Sequence, residues 1–313
     1  MTAAASLKPE VFVWLGDNIY NDLSVSGNVC EPMACSTSRL NALKDRLLLT
    51  TYKFLLRFKP RLAAKLSRQM VEKHNSGSTA TDGDGLSRRY AQLANKTEYI
   101  AILDAAGAIL ATWDDHDYCR NNAGASCPVA ERSRELFLDF WRGAGSISAR
   151  GAHAGVYDSA TFGEYDSPSR SVQVLLLDLR SFRSDLRHSP PNSSDAYGEQ
   201  EETVQLVGEE QWRWLATQLR KPAAVRVICS SISFAASYNG EESWALYPHE
   251  RRRMFSLLTS TGASGVVFIS GDVHYGEMSA IGRADGAPYT LFDVTSSGLT
   301  QSKGWLFHPS NTR

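Results

Sequence analysis

The chain has 313 residues, of which 42% are hydrophobic and 21% charged, and its 33 basic side chains nearly balance 34 acidic ones. This length suits one large domain or two ordinary ones, and the composition excludes a disordered chain, a collagen-like repeat and a small disulfide scaffold. A net charge of −1 gives no reason to expect specific nucleic-acid binding. The sequence therefore predicts an enzyme or a binding domain for small ligands.

Short apolar runs alternate with helical patterns along the chain. Runs rich in aliphatic and β-branched residues predict strands at Val11–Leu15, Ala108–Trp113, Val172–Leu177, Val225–Ser230, Gly265–Ile269 and Pro288–Val294. Apolar residues at three-to-four spacing predict helices at Ser38–Lys59, Arg61–His74, Ser87–Ala106, Ala130–Trp141, Glu209–Leu219 and His249–Leu258. The polar segments Asn75–Gly85 and Arg187–Thr203 are predicted loops. This alternation indicates one α/β domain, residues 1–313, with a sheet covered on both faces.

The five cysteines form two local pairs and one isolated residue. Cys30/Cys35 and Cys119/Cys127 lie in loop-like segments where local disulfides are geometrically feasible, whereas Cys229 lies in an apolar run and is expected to be buried and free. Zinc binding by the loop cysteines is the alternative, although neither spacing is that of a zinc knuckle.

Several features of the sequence bear on localisation. Asn95 and Asn192 begin N-glycosylation-like triplets, and together with the paired cysteines they favour secretion or an endomembrane lumen. No signal peptide is visible at the start of the chain, and no run of about 18 apolar residues predicts a transmembrane segment. The sequence indicates no oligomeric state.

Three predicted strands end in segments rich in metal-ligand residues. Asp17, Asp115 and Asp272 each follow a strand closely, at the positions where α/β sheets bind their ligands. Their hard oxygen donors suit Ca²⁺, Mg²⁺, Mn²⁺ or Fe³⁺, whereas the His274 imidazole and the Tyr20 phenolate suit a transition metal, above all Fe³⁺. These mixed donors predict two different ions. So many converging carboxylates would have raised pKa values unless cations compensated their charge, which predicts bound metal. Asp17 alone also fits a turn or a helix cap.

The order of these motifs resembles that of the PhoD-like alkaline phosphatases and phosphodiesterases, a branch of the calcineurin-like metallophosphoesterases. The similar segments run from Pro9 to Ser302 and are Leu15-Gly-Asp-Asn-Ile-Tyr20, Trp113-Asp-Asp-His-Asp-Tyr118 with Asn121, Leu177-Asp-Leu-Arg180-Ser-Phe-Arg183, Gln211-Trp-Arg-Trp-Leu215, Gly271-Asp-Val-His274 and Thr295-Ser-Ser-Gly-Leu-Thr300. Each motif alone is weak, and the joined set is specific.

The resemblance implies a four-layer α/β/β/α sandwich with a multinuclear centre, typically Fe³⁺ with Ca²⁺, that hydrolyses phosphate esters. By position, Asp17 would bridge metals, Tyr20 would bind Fe³⁺, and Asp272 and His274 would complete the metal shells. Asp115 falls where the wider superfamily places a ligand Asn.

Further residues are expected to act on the substrate. His116 would protonate the leaving alkoxide. Arg180 and Arg183 would clamp phosphate oxygens, with salt bridges to Asp178 or Asp185 as the alternative. The remaining candidates for substrate contact are Asn18, Asp114 and Asn121, and Asn121 could also hold a metal.

Two alternative functions remain open at this stage. A serine esterase would use Ser230, Ser231 or Ser270, but no GxSxG motif is present and Asn18 stands where a Gly-Asp-Ser enzyme needs serine. A catalytically weakened or inactive relative would bind a phosphorylated ligand or a protein partner. This alternative is prompted by a strand with a Gly-Ser-Cys segment that relatives carry upstream and that has no counterpart here, so we expect a chain trimmed at both ends or an inactive relative.

Overall fold

Two sheets form the framework of the computed structural model, which describes residues 1–20, 83–163, 168–187, 189, 197–236 and 242–299. The smaller sheet pairs β1 (Val11–Leu15) with β2 (Ala108–Thr112) in parallel. The larger sheet holds β3 (Asp158–Gly163), β4 (Ser171–Leu176), β5 (Val225–Ser230), β6 (Val266–Ser270), β7 (Gly276–Ile281) and β8 (Leu291–Ser296) in the order β3-β4-β5-β6-β8-β7. Strands β4, β5, β6 and β8 are parallel, and β3 and β7 are antiparallel at the edges.

Seven α-helices flank these sheets in the described part of the chain. They are α1 (Thr2–Ser6), α2 (Gly83–Ala94), α3 (Thr97–Ala105), α4 (Asp115–Tyr118), α5 (Ala130–Gly143), α6 (Glu209–Leu219) and α7 (Pro248–Thr261). Helix α7 begins with Pro248, which supplies no N–H where none is needed, and ends at Gly262 with a left-handed φ of 65°.

Three apolar clusters separate the layers. The first lies between the two sheets and contains Leu110 of β2, Leu176 of β4 and Cys229 of β5. The second packs the helices before β3 against the small sheet, and the third packs α6 and α7 against the large sheet. Three interfaces make four layers, which confirms the expected α/β/β/α sandwich. Because the central strands are buried on both faces, they appear in the sequence as continuous apolar runs.

The predicted strands are found within three residues at each end, and two further strands were missed. Strands β3 and β7 are edge strands with polar and exposed positions, so neither forms an apolar run. The helix predicted over Ser87–Ala106 is in fact two helices, α2 and α3. The predicted loop Asn75–Gly85 is wrong from Gly83 onward, because α2 begins there. The helices predicted at Ser38–Lys59 and Arg61–His74 lie outside the described residues.

The cysteine predictions are confirmed where the structure describes them. Cys119 and Cys127 form a disulfide with a Cα–Cα distance of 6.1 Å, and Cys229 is free and fully buried. The pair Cys30/Cys35 lies outside the described residues. Among the helices described here, none combines the length and the apolar character needed to cross a lipid bilayer.

Candidate metal centre

Glycines bring the strand ends together. Gly16, with φ of 107°, lies so close to the segment after β2 that a Cβ atom there would lie 2.4 Å from Asp114 Cβ. Gly271 packs between Ser231 and Leu15, where an added Cβ would lie 3.1 Å from the Ser231 carbonyl oxygen and 3.4 Å from the Leu15 carbonyl oxygen. Both Gly-Asp motifs therefore need glycine for close backbone approach, and the aspartates that follow are carried to one place.

Four aspartates converge at this place, and we call them the acidic cluster: Asp17, Asp114, Asp115 and Asp272. One carboxylate oxygen from each lies within 4.8 Å of the others. A second group, Asp17, Asp115 and His116, meets the same distance and shares two members with the first. Two overlapping groups of this kind could hold two neighbouring cations.

Tyr20 and His274 also contact Asp17. The Tyr20 hydroxyl lies 2.8 Å from His274 Nε2 and donates to Asp17 Oδ2 at 3.1 Å. His274 Nε2 and Asp17 Oδ2 are 3.6 Å apart. The structure thus brings together all five residues that the sequence indicated as metal ligands, with Asp17 at the centre.

The backbone at this site is held in unfavourable conformations. Asp17, Asp272 and His274 have φ angles of 48°, 70° and 62°, in the left-handed region that non-glycine residues rarely adopt. Such conformations cost roughly 1–3 kcal/mol each and are concentrated at functional sites, where the surrounding structure enforces them. Part of that enforcement is visible at His274, whose backbone N–H donates to Ser297 Oγ at 2.9 Å.

The carboxylates of the acidic cluster repel one another when no cation is bound. Burial raises the pKa of Asp17 well above its usual value, and the neighbouring Asp114, Asp115, Asp117 and Asp272 raise it further. Burial also raises the pKa of Asp114, which the Arg180 guanidinium only partly opposes. Bound cations would remove this repulsion, and the mixture of carboxylate, imidazole and phenol donors suits them.

Comparison with known proteins agrees with this geometry. A family model described as PhoD-like phosphatase matches residues 59–303. The chain belongs to the PhoD-like phosphatase family. Alkaline phosphatase D of Bacillus subtilis (strain 168) is 26% identical in a match that covers 73% of this chain and 42% of the relative. A solved structure described as "Structure of PhoD" is 20% identical, superposes with a TM-score of 0.60, and is matched over 96% of this chain and 53% of that chain. The chain spans about half the length of these relatives.

The PhoD-like motif after β2 also contains a residue to which the sequence assigned no function. Asp117 is fully buried, and its carboxylate accepts hydrogen bonds from the backbone N–H groups of Asn18 (3.0 Å), Ile19 (3.2 Å) and Asp114 (3.1 Å). Burial raises the pKa of Asp117 to about 7, although these hydrogen bonds oppose the shift. Asp117 ties the end of β1 to the end of β2, and only the three-dimensional arrangement shows this.

The three predicted substrate contacts have different surroundings. Asn18 is buried, and its side-chain N–H groups donate to the Thr112 carbonyl at 3.2 Å and to Asp117 at 3.2 Å. Asp114 is fully buried, with Oδ1 2.5 Å from Arg180 Nε. Asn121 is exposed and lines a pocket of about 400 Å³ beside the disulfide. Their function in substrate binding stays a prediction.

Arg180 and Arg183 are enclosed by protein groups. Arg180 pairs with Asp114 and, at 2.7 Å, with Glu242, whereas Arg183 pairs with Glu242 and donates to the backbone carbonyls of Asn122 and, at 2.8 Å, Ala123. Among the described residues, neither guanidinium forms an ion pair with Asp178 or Asp185, the partners that the alternative named. The clamp on phosphate oxygens stays a prediction.

Neither guanidinium is solvent-exposed, and burial beside Arg180 lowers the pKa of Arg183 to about 10. Their partner Glu242 was missed because no motif surrounds it.

Asp178, named as an alternative partner of the arginines, has structural contacts instead. Asp178 Oδ1 accepts from the Trp113 indole at 2.8 Å, and its Oδ2 accepts from the Val156 backbone at 2.9 Å. The Gln211 side chain brackets the Asp178 backbone with bonds of 2.8 and 2.7 Å. Asp178 and Gln211, one from each of two of the similar motifs, therefore support the fold, because their bonds connect the end of β4 to helix α6 and to the segment before β3.

Proposed function

We propose that this PhoD-like protein hydrolyses phosphate esters at a metal centre held by Asp17, Tyr20, Asp115, Asp272 and His274. The observation that carries the proposal is the convergence of four carboxylates, three of them buried, with an imidazole and a phenol that contact Asp17. A scaffold needs no such concentration of like charge, and the raised pKa of Asp17 shows its cost in the absence of cations. The family and the relative named as a phosphatase support the same reaction class.

The donor atoms suggest which metals bind. Carboxylate oxygens suit Ca²⁺, and the Tyr20 phenol with the His274 imidazole suits Fe³⁺, so we propose an Fe³⁺ and Ca²⁺ centre. Such ions polarise a phosphoryl oxygen and make a water molecule easier to deprotonate. Asp17 and Asp115 belong to both candidate groups and are the residues best placed to serve more than one ion.

The chain's own residues complete the site. His116 is buried beside Asp17 and Asp115, with its ring 4.4 Å from that of Tyr20, and we assign it the proton that the leaving alkoxide needs. Arg180 and His116 hold the pKa of Asp115 below its usual value even though burial opposes this, and so keep the carboxylate ionised for metal binding. In this arrangement Arg180 and Arg183 position the site through their contacts with Asp114, Glu242 and the backbone of Ala123.

The serine esterase alternative gains no support from Ser230 or Ser270. Ser230 Oγ is buried between the Ile232 carbonyl at 2.5 Å and the Trp244 indole at 3.1 Å. Ser270 Oγ is buried and donates to Asp293 at 2.6 Å. Both hydroxyls have structural partners in place of the histidine that a nucleophilic serine needs.

The proposed reaction and the disulfide indicate the substrate and the cellular compartment. The substrate is a phosphate ester, and the Cys119–Cys127 disulfide favours an oxidising compartment outside the cytosol.

The proposed function is tested by removing the central ligand. Asp17→Asn keeps the size of the side chain and removes its charge, so we expect loss of bound metal and of turnover of bis(p-nitrophenyl) phosphate and p-nitrophenyl phosphate. Asp104→Asn, at an exposed position of α3, is the matched control and should retain both. A chelator should abolish turnover in the parent protein, and added Ca²⁺ and iron should restore it. Turnover that survives both chelation and Asp17→Asn would refute the proposal.

A further inference from the structure

The segment closed by the disulfide, residues 119–127, lies directly against the candidate metal centre, and we call it the disulfide loop. We propose that the disulfide loop, with Arg183 as its inner anchor, positions the Asp115 carboxylate for metal binding, so that reduction of the disulfide weakens the centre. This inference rests on the proposed function, because it concerns the same metal site.

The first link is between Asp115 and the loop. Asp115 Oδ2 accepts the backbone N–H of Asn122 at 2.5 Å, and Oδ1 accepts the backbone N–H of His116 at 2.8 Å. These two bonds fix the carboxylate plane. Groups that donate hydrogen bonds to a metal ligand orient it, and their loss commonly weakens metal binding about 10- to 100-fold.

The second link is the conformation of Asn122. Its φ of 55° is left-handed, which turns its N–H toward Asp115. A free loop would relax from this conformation, because a non-glycine residue adopts it at a cost. Asn122 is held in part by its own side chain, which donates to the Tyr197 hydroxyl at 2.8 Å, and the rest of the loop is held by Arg183 and by the disulfide.

Arg183 holds the loop from the inside. Its side chain donates to the carbonyl groups of Asn122 and Ala123, and its own carbonyl accepts the Ala125 N–H at 2.7 Å. Gly124 passes so close that an added Cβ would lie 2.5 Å from the Arg183 carbonyl oxygen. The loop and Arg183 thus fit each other through backbone contacts that allow little displacement.

The disulfide holds the ends of the loop. Cys119 caps α4, and its backbone N–H donates to the Asp115 carbonyl at 2.7 Å. The disulfide bond holds Cys127 next to Cys119. Because Cys119 is only partly buried, a small reductant can reach the bond. Reduction by a phosphine breaks the S–S bond and leaves two thiols, and the phosphine is oxidised to its oxide with an oxygen atom from water. The loop ends are then free to separate.

The test compares two double variants of the full chain. Cys119→Ser/Cys127→Ser removes the bond, and Cys30→Ser/Cys35→Ser removes the other cysteine pair as the matched control. With Mn²⁺ alone as the probe, followed by electron paramagnetic resonance, we expect Kd to rise at least about tenfold in the first variant and to stay within about twofold in the second. Phosphine treatment of the parent, with the reagent then removed, should reproduce the first result.

Two further variants separate positioning from folding. Asn122→Gly loses the side-chain bond to Tyr197 but keeps the N–H and tolerates the left-handed φ. Because Arg183 and the disulfide still hold the loop, this variant should keep the parent Kd for Mn²⁺. Arg183→Lys keeps the charge that faces Glu242 but loses the paired contacts to the loop carbonyls, and it should weaken Mn²⁺ binding even if the cysteine variant does not fold. An unchanged Kd in folded Arg183→Lys, or in the folded or reduced cysteine forms, overturns the inference. A parent protein that binds no metal would overturn the proposed function as well.

Discussion

The backbone N–H of Asn18 donates a hydrogen bond to Asp117 Oδ1 at 3.0 Å, across 99 positions of the sequence. Asn18 follows β1 and Asp117 follows β2, so this bond joins the two segments that carry Asp17 and Asp115. The geometry of the acidic cluster thus depends on a carboxylate that lies outside it. A residue of this kind would orient the candidate metal ligands without itself binding metal.

Asp117→Ala should therefore destabilise the fold and the centre together. The substitution leaves the N–H groups of Asn18, Ile19 and Asp114 buried without an acceptor, and we expect a loss of about 2–3 kcal/mol in the free energy of unfolding. Urea denaturation measures the loss, with Asp104→Ala in α3 as a control expected within about 0.5 kcal/mol of the parent. Equal stability of the two variants would show that Asp117 is not an anchor.

His116→Ala distinguishes a proton donor from a metal ligand. An alkoxide leaving group needs a proton and nitrophenolate does not, so a general acid predicts a fall in kcat of about 10²- to 10⁴-fold for an alkyl phosphate ester and a small change for a nitrophenyl ester. Metal content should stay at the parent level. If both substrates lose turnover equally and metal content falls, His116 acts instead as a ligand with Asp17 and Asp115.

The sequence was sufficient to predict which candidate ligands lie together, because each follows a recognisable strand. Asp17 and Asp115 lie just beyond apolar runs, and the topology of parallel strands places such ends at one edge. The conformation of Asp17 was not predictable, since its positive φ depends on packing against the segment after β2. The sequence pattern indicated which residues lie together, whereas packing determines their backbone conformations.

Residues that act from outside any motif could not be found in this way. Glu242 comes from a segment with no periodicity, yet it pairs with both Arg180 and Arg183. Asn122 contributes a backbone N–H, and a backbone group leaves no trace in residue type. The edge strand β7 lacks an apolar run because only its last residue, Ile281, is fully buried.

Glu242→Gln should be strongly destabilising. Glu242 is buried with Arg180 and Arg183, and among the described residues it is the acidic group that pairs with Arg183. Removing one member of a buried ion-pair network leaves uncompensated charge, which costs about 3–5 kcal/mol. Glu201→Gln is the matched control, because Glu201 pairs with Arg187 on the surface, where such pairs contribute about 0–1 kcal/mol. Chemical denaturation of both variants measures the contrast, and similar losses would argue against a buried network.

Glu250→Gln should flatten the dependence of stability on pH. Burial raises the pKa of Glu250 more than the Trp212 indole, His249 and Arg253 lower it. A carboxyl whose pKa is raised in the folded state binds its proton more tightly there than in the unfolded chain. Its favourable contribution is therefore complete below its ordinary pKa and is lost as pH rises through the raised value.

The glutamine variant has no proton to lose and can still accept the Trp212 N–H, which lies 2.8 Å from Glu250 Oε2 in the parent. The parent should therefore lose stability relative to Glu250→Gln as pH rises from the ordinary glutamate pKa into the neutral range. Urea denaturation of both proteins across that range, in the presence of a chelator so that metal binding does not contribute, measures the difference. Parallel stability curves would mean that burial does not raise the pKa of Glu250, because the folded and unfolded states would then bind its proton equally.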